Sequence, residues 1–310
     1  MQNISIGECI RQRRKELNLT QEQLCDGICD PVSLSRIENG KQTPRRTIIN
    51  ALLQRLGLPD TRYYALVSEN ELEIEALKKE ILACNALSRI AEGFEKIQML
   101  DKLCEPEDQL TRQFILRSKV LLGSINGRYT FQEQIDLLIR AIRLTIPNFD
   151  LEELDQHLYT FDEIKIIIHI ANSYSLDNQN EKAADIFSQL LKYIKKHARE
   201  TIASGGLLPL ILYNYARALD LCERYKEASK YALQGQKACI DTGHYQSLPS
   251  CLEIYAECCH FLGKDNKSAE AYAQAYYLCK AIGLKEDLDV VKVEAKKYLN
   301  IEFTDYGQSL

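Results

Sequence analysis

Apolar residues recur every three or four positions along almost the whole chain, the spacing of one-sided helices rather than of strands. The most sharply punctuated stretch runs from Ser5 to Gly57. Thr20 followed by Gln23 three residues on predicts a capping box, Leu24 supplies the buried contact, and Gly27 permits the turn that stops this short helix. The pattern restarts at Asp30-Pro31, an N-cap and first-turn proline, continues with Leu34 and Ile37 on one face, and ends at Asn39-Gly40. The opposite face carries Val32, Ser33, Ser35 and Arg36 outward. A short capped helix showing small polar residues and an arginine, packed across a second helix, suits the DNA major groove. Ile6, Ile10 and Leu17 with Arg11, Arg13, Arg14 and Lys15 predict a helix before this pair. Ile48, Ile49, Leu52, Leu53 and Leu56 predict a closing helix after Pro44.

Gly57-Leu58-Pro59-Asp60 breaks the pattern and sets a domain boundary at about residue 60. From Thr61 to Leu87 the periodicity predicts a connecting helix, and from there to the C-terminus helices follow in pairs. Aligning Ala171, Ala216 and Ala256 superposes three first helices of such pairs. A small residue follows about a dozen positions later, at Ala183, Ala228 and Ala269, the last after a turn one residue longer. Phe187, Tyr231 and Tyr272 then come on the same face. Small residues let antiparallel helices approach closely, and the large residue fills the gap to the next pair. An earlier copy has Gly123, Ile135, Ile139, Ile142 and Pro147; a weaker one runs from Glu73 to Cys104. Recurrence at roughly 40 to 45 residues favours a repeat array over a generic helical bundle. The stretch from Glu286 to Leu299 would cap it.

Charge divides the chain in the same place. The formal net charge is −5, but residues 1–60 carry +2 and the remainder −7, so the basic end is the one suited to nucleic acid. There is no apolar run of about 18 residues and no basic-then-apolar leader, so the expectation is a cytoplasmic protein without a membrane partner. Of the 11 cysteines, Cys25 and Cys29 lack a second Cys or His pair near enough to complete a zinc ribbon. Cys222, Cys239, Cys251, Cys258, Cys259 and Cys279 fall on predicted helices and read as small buried hydrophobes, with a redox switch as the alternative. The five histidines are scattered and no HExxH, GxSxG or phosphate loop is present, so no enzyme, metal or cofactor is expected.

The run Leu34-Ser35-Arg36-Ile37-Glu38-Asn39-Gly40, with Gln21 opening the preceding helix, resembles the Cro/C1-type helix-turn-helix family. Pro31 departs from it, offering only apolar surface where many relatives place a base-reading side chain. The later pairs look like tetratricopeptide repeats, although no tryptophan is present. Together the two parts resemble the peptide-responsive Rgg and PlcR regulators of Gram-positive bacteria. The implied fold is all-α. An N-terminal five-helix helix-turn-helix DNA-binding domain, residues 1–60, precedes residues 61–310, a right-handed superhelix of about five tetratricopeptide-like pairs with a C-terminal capping helix. The implied function is a homodimeric transcription factor whose repeats hold a short signalling peptide and thereby change DNA binding. A two-fold dimer would use a palindromic operator. A repeat scaffold for another protein, or a mobile-element repressor controlled by a protein partner, remains the alternative.

Site residues follow from the helical geometry. At the DNA end, Gln21 is expected to bond a phosphate, Ser35 and Arg36 to face base edges, and Val32 and Ser33 to meet thymine methyls or hydrogen-bond. Asn39, Lys41, Arg45 and Arg46 are expected on the backbone or toward the minor groove. An intradomain pairing of Arg36 with Glu38 or Glu16 is the competing expectation. On the inner helices of the repeats, counting from the aligned small residue predicts a ligand face of Arg117, Val120 and Ser124; Lys165, Ile168 and Asn172; Tyr213, Arg217 and Asp220; and Glu253, Glu257 and His260. Arg117, Lys165, Asn172, Tyr213, Arg217, Asp220, Glu253 and Glu257 carry the chemistry a peptide needs. The apolar residues Leu288, Val290, Val291 and Val293 of the capping helix, and the connecting helix after Pro59, are the candidate dimer surfaces.

Overall fold

Each short helix at the N-terminus begins where a side chain satisfies its free N–H groups. The computed structural model describes residues 5–58, 69–197 and 206–303, in which the regular elements are all helical. Helix α1 (Ile6–Glu16) starts at Ser5, whose hydroxyl accepts from the Glu8 N–H. Helix α2 (Gln21–Cys25) has the reciprocal capping box expected of Thr20 and Gln23. Helix α3 (Pro31–Glu38) starts with the Asp30 carboxylate accepting from the Ser33 N–H at 2.8 Å, and Gly40 beyond it takes φ +67°. Helix α4 (Arg46–Arg55) closes the head, so that the described residues 5–58 hold four helices where five are expected. Ile10, Leu24, Leu34, Ile37, Ile49, Leu52, Leu53 and Leu56 form its buried core. Next to that core, Arg14 grips both oxygens of Glu38, Nε at 2.6 Å and Nη2 at 2.9 Å, while Gln21 Nε2 donates to the same carboxylate at 2.8 Å. One buried carboxylate thus ties α1, α2 and α3 together, in the bidentate geometry that favours arginine over lysine.

The chain divides into two compact units, Met1–Asp177 with Lys195–Thr201, and Asn178–Ile194 with Ile202–Leu310. In the first, the head is followed by α5 (Glu69–Ala86), α6 (Ile90–Leu103), α7 (Gln109–Ile125), α8 (Phe131–Arg143) and α9 (Phe161–Leu176). The connecting helix expected from Thr61 is described from Glu69 onward; residues 59–68, with the Pro59-Asp60 boundary, lie outside the described residues. Head and repeats meet through polar groups. Arg55, on α4, donates to the carbonyls of Leu24 and Asp26 at 3.1 and 2.5 Å and pairs with Glu163 of α9 at 3.4 Å, both side chains being almost wholly buried. Glu163 also caps α9, accepting from the Thr160 N–H, and takes the Thr145 hydroxyl at 2.6 Å; Gln113 donates to Thr145 at 2.7 Å. Beside this network Gly27 has φ +65°, and a Cβ there would lie 1.7 Å from the Thr145 carbonyl oxygen. Only glycine allows both the turn and the approach.

The second unit holds most of α10 (Asn180–His197), then α11 (Leu207–Leu221), α12 (Tyr225–Thr242), α13 (Leu248–Phe261), α14 (Asp265–Ile282) and α15 (Lys285–Leu299). Ala216 and Ala228, the expected small pair, are fully buried where α11 meets α12. In the next pair the register differs from expectation. Ser268 rather than Ala269 is the buried small residue opposite Ala256, and its hydroxyl donates to the Ala256 carbonyl at 2.7 Å. The turn is therefore not longer: internal bonding hides a serine as well as an alanine. Four positions after Ala228 the buried residue is Ala232, and Tyr231 stands half-buried with its ring 4.5 Å from that of Tyr215. The capping helix α15 turns Leu288 and Val291 into the core with Tyr272 and Tyr276, leaving Val290 and Val293 exposed.

Two substitutions check this packing. Ala228→Leu inserts three carbons where two backbones nearly touch and should cost about 1–3 kcal/mol in urea unfolding. Glu163→Ala leaves Arg55 buried without its counter-charge and should cost about 3–5 kcal/mol, with faster amide exchange in α4; unchanged exchange there would mean that the pair does not hold the head.

Candidate nucleic-acid interface and ligand cavity

Helix α3 presents Val32 and Arg36 fully outward, while Leu34, Ile37 and Glu38 face the head's core. The two carboxylates that could have captured Arg36 are engaged elsewhere, Glu38 by Arg14 and Glu16 by Arg13 at 3.0 Å. Ser33 and Ser35 lie half-buried at the same surface. The Ser33 hydroxyl donates to Asp30 at 2.6 Å, so it serves the cap of α3. Gln21 sits at the start of α2 as expected, but its side-chain amide nitrogen is held by Glu38 at 2.8 Å. Asn39 donates to the Ser35 carbonyl at 2.7 Å and accepts from Arg11, which closes α3 against α1. Lys41 and Arg46 are exposed, and Arg45 makes a surface ion pair with Glu105 at 2.8 Å.

Within the first unit, the inner-face residues fall into two groups. Arg117 on α7 and Lys165 and Asn172 on α9 are half-buried, with Lys165 paired to Asp162 at 3.0 Å. Val120 and Ile168 instead turn into the core, and Ser124 bonds the Leu121 carbonyl. His169 takes the place expected of Ile168; its spacing from Lys165 and Asn172, four and three residues, was a readable helical stripe. Burial, and then the charge of Arg117, pull its pKa down to about 4, so the ring is neutral at pH 7. Arg117 Nε and His169 Nδ1 are both buried without a hydrogen-bond partner. The arginine's own pKa is lowered by burial.

The second unit contains a cavity of about 370 Å³ lined by five of the six residues expected on its inner face, Tyr213, Arg217, Asp220, Glu253 and Glu257. Two further acids, Asp287 and Glu294, enter from the capping helix α15, beyond the reach of counting along the inner helices. Oxygens of Glu253, Glu257 and Glu294 lie within 4.8 Å of one another. Burial, then the charge of Glu257, raises the Asp220 pKa to about 7; burial, then Glu294, pushes Glu253 well above the carboxylate range. Glu294 is raised chiefly by burial, and burial takes the Tyr213 phenol to about 12. His260 is drawn aside by Asp265 at 2.9 Å and does not line the cavity. All 11 cysteines are free thiols; of the six expected to be small buried hydrophobes, Cys239, Cys251, Cys258, Cys259 and Cys279 are buried, whereas Cys222 is only half-buried.

These raised values fix a sign. Unfolded carboxyls titrate near pH 4, whereas Asp220 holds its proton to about pH 7 in the folded chain. Its contribution is therefore full below about pH 4 and is lost as pH rises toward 7. Asp220→Asn, which cannot ionise, should gain in Tm over the parent between pH 5 and pH 8; a difference that stays constant across that range would contradict the assignment.

The head and the array both have counterparts among known proteins. Residues 10–61 match the helix-turn-helix family model. No curated protein sequence matches the chain. Among solved structures, Bacillus thuringiensis PlcR in complex with the peptide PapR7 and DNA is similar at 20% identity and a TM-score of 0.62, over 93% of this chain and 99% of that one. PlcR in its apo form gives 20% identity and 0.59, over 92% and 97%. The apo competence regulator ComR from Streptococcus vestibularis gives 15% and 0.51, over 95% and 98%. At these identities the likeness concerns architecture: the protein has a helix-turn-helix head followed by paired helices in the fold of PlcR.

Proposed function

We propose that the protein is a sequence-specific DNA-binding transcriptional regulator, with residues 1–60 reading DNA and residues 61–310 binding a short signalling peptide and forming a homodimer. The observation that carries this reading is the outward face of α3, whose Arg36 is left unpaired by the head's own acids. The full-length likeness to PlcR, a protein crystallised with a peptide and DNA, supports the pairing of the two activities. In this reading Arg36 and Ser35 contact base edges in the major groove, and Val32 and the methylene of Ser33 pack on thymine methyls. Gln21 contributes through its backbone N–H at the start of α2, and Lys41, Arg45 and Arg46, with Asn39 bracing the helix end, hold phosphates.

The inner helices of each unit carry groups suited to a peptide. In the first unit Arg117, Lys165 and Asn172, with His169, offer donors for backbone carbonyls or a carboxylate; in the second, Tyr213, Arg217, Asp220, Glu253 and Glu257 line the cavity. A dimer of two heads would read a palindromic operator, and the exposed Val293 of α15, which does not line the cavity, is available to its interface. No helix among the described residues is long and apolar enough to cross a membrane, and the reading places the protein in the cytoplasm.

The test is binding of the purified chain to DNA from its own upstream region at two salt concentrations. Arg36→Ala should lose about 1–3 kcal/mol on the preferred site and relax sequence preference there. Lys41→Ala should weaken all sequences alike and reduce the salt dependence by about one counterion. Equal affinity of the parent and Arg36→Ala for every sequence would remove the base-reading role.

A further inference from the structure

The acids of the second-unit cavity are not equally provided for. Tyr298 donates its hydroxyl to Glu257 at 2.6 Å, Tyr272 to Glu294 at 3.2 Å, Ser250 to Asp287 at 3.1 Å, and the Cys258 thiol approaches Asp220 at 3.3 Å. Glu253 stands apart. It is 9% exposed, it lines the cavity, and the polar side chain within its hydrogen-bonding reach is another carboxyl, Glu294. A buried carboxyl so placed either shares a proton with its neighbour or meets a cation. The cations nearby do not fill that role: Arg217 is exposed, and Lys297 is bonded to the Tyr298 hydroxyl at 3.0 Å.

The remaining walls narrow the kind of cation. Leu221, Pro249, Ile254, Val290 and Val291 give the cavity an apolar side next to its acidic one. A bare divalent ion, held by oxygens at about 2.0–2.6 Å, would leave most of the 370 Å³ empty and the apolar side without a partner. An alkyl stem ending in a charge matches both surfaces, the stem on the valines and the head among Glu253, Glu257 and Glu294.

We propose that this cavity receives the side chain of a lysine or arginine carried by the bound peptide, with Glu253 as its central counter-charge. The proposal rests on the peptide-binding reading and adds a specificity to it. Binding the cation displaces the proton that the carboxyls otherwise share, so affinity for the basic side chain rises with pH.

The experiment exposes the purified full chain to a random library of seven-residue peptides at pH 8 and identifies the bound ones by mass spectrometry. The strongest binder is then resynthesised with norleucine in place of its basic residue. The expected result is a lysine or arginine shared at one position, at least a tenfold loss with norleucine, and a loss of that difference in Glu253→Gln. In the parent, affinity for the basic peptide should also fall when the pH is lowered to 5.5. The Gln variant removes like-charge repulsion, so its thermal melt should be no lower than the parent's at pH 8 and serves as the folding control. Bound peptides with no basic preference, or a preference that Glu253→Gln leaves intact, would overturn the cavity assignment while leaving peptide binding in place. Binding of Mn²⁺ alone that depends on Glu253, with no basic preference among peptides, would assign the cavity to a metal instead. If no peptide binds at all, the peptide-binding reading falls and takes this proposal with it.

Discussion

The buried contact of Arg55 with Glu163 is the constraint on which the first unit depends. Two charges have been taken out of water across 108 residues of sequence, and neither can be left there alone. The arginine also holds the carbonyls of Leu24 and Asp26, so the α2 end of the helix-turn-helix is fixed by the same group. The glutamate completes the capping box of α9 with Thr160, and the Phe161 N–H at that helix start donates to Gln54 of α4 at 3.0 Å. Position of the head and position of α9 are therefore one variable. Lys165, His169 and Asn172 lie further along that same helix. A ligand that moves α9 has a packed, hydrogen-bonded route to the head, and a two-state shift of such an element is what coupling between sites requires.

The two ligand-facing regions differ in chemistry. In the first unit, Arg117 keeps a buried N–H without a partner, which suits an acceptor, and the neutral His169 keeps a buried ring nitrogen that donates or accepts according to its tautomer. In the second, carboxyls gather around Glu253 and retain protons, which suits a donor or a cation. Each is costly in the unliganded chain, because a buried polar group without a partner and a cluster of like charges both oppose folding. Such groups are more readily understood as recognition chemistry than as scaffold, since the surrounding helices would pack as well around apolar side chains.

The head was largely legible in the sequence because caps and turns are local. Thr20 with Gln23, Asp30 with Pro31, and Asn39 with Gly40 each act within four residues, and each appears as read. The repeat faces were legible where helical counting suffices, which is why five residues from two helices all reach one cavity. Counting failed where a polar residue hid its hydroxyl on its own partner helix, as Ser268 does, and where the face turned by one residue, as from Ile168 to His169. Nothing in the periodicity announced Arg55 with Glu163, or Glu294 reaching into the cavity from the cap. Those contacts are set by tertiary packing between segments far apart in the chain.

If one protein couples a peptide to an operator, linkage between the two ligands must be reciprocal. Peptide affinity should be measured by titration with and without saturating operator DNA, and operator affinity with and without saturating peptide. Both ratios should differ from one and be equal, as reciprocity requires for a shared equilibrium. Peptide and operator each bound with an affinity indifferent to the other would contradict it.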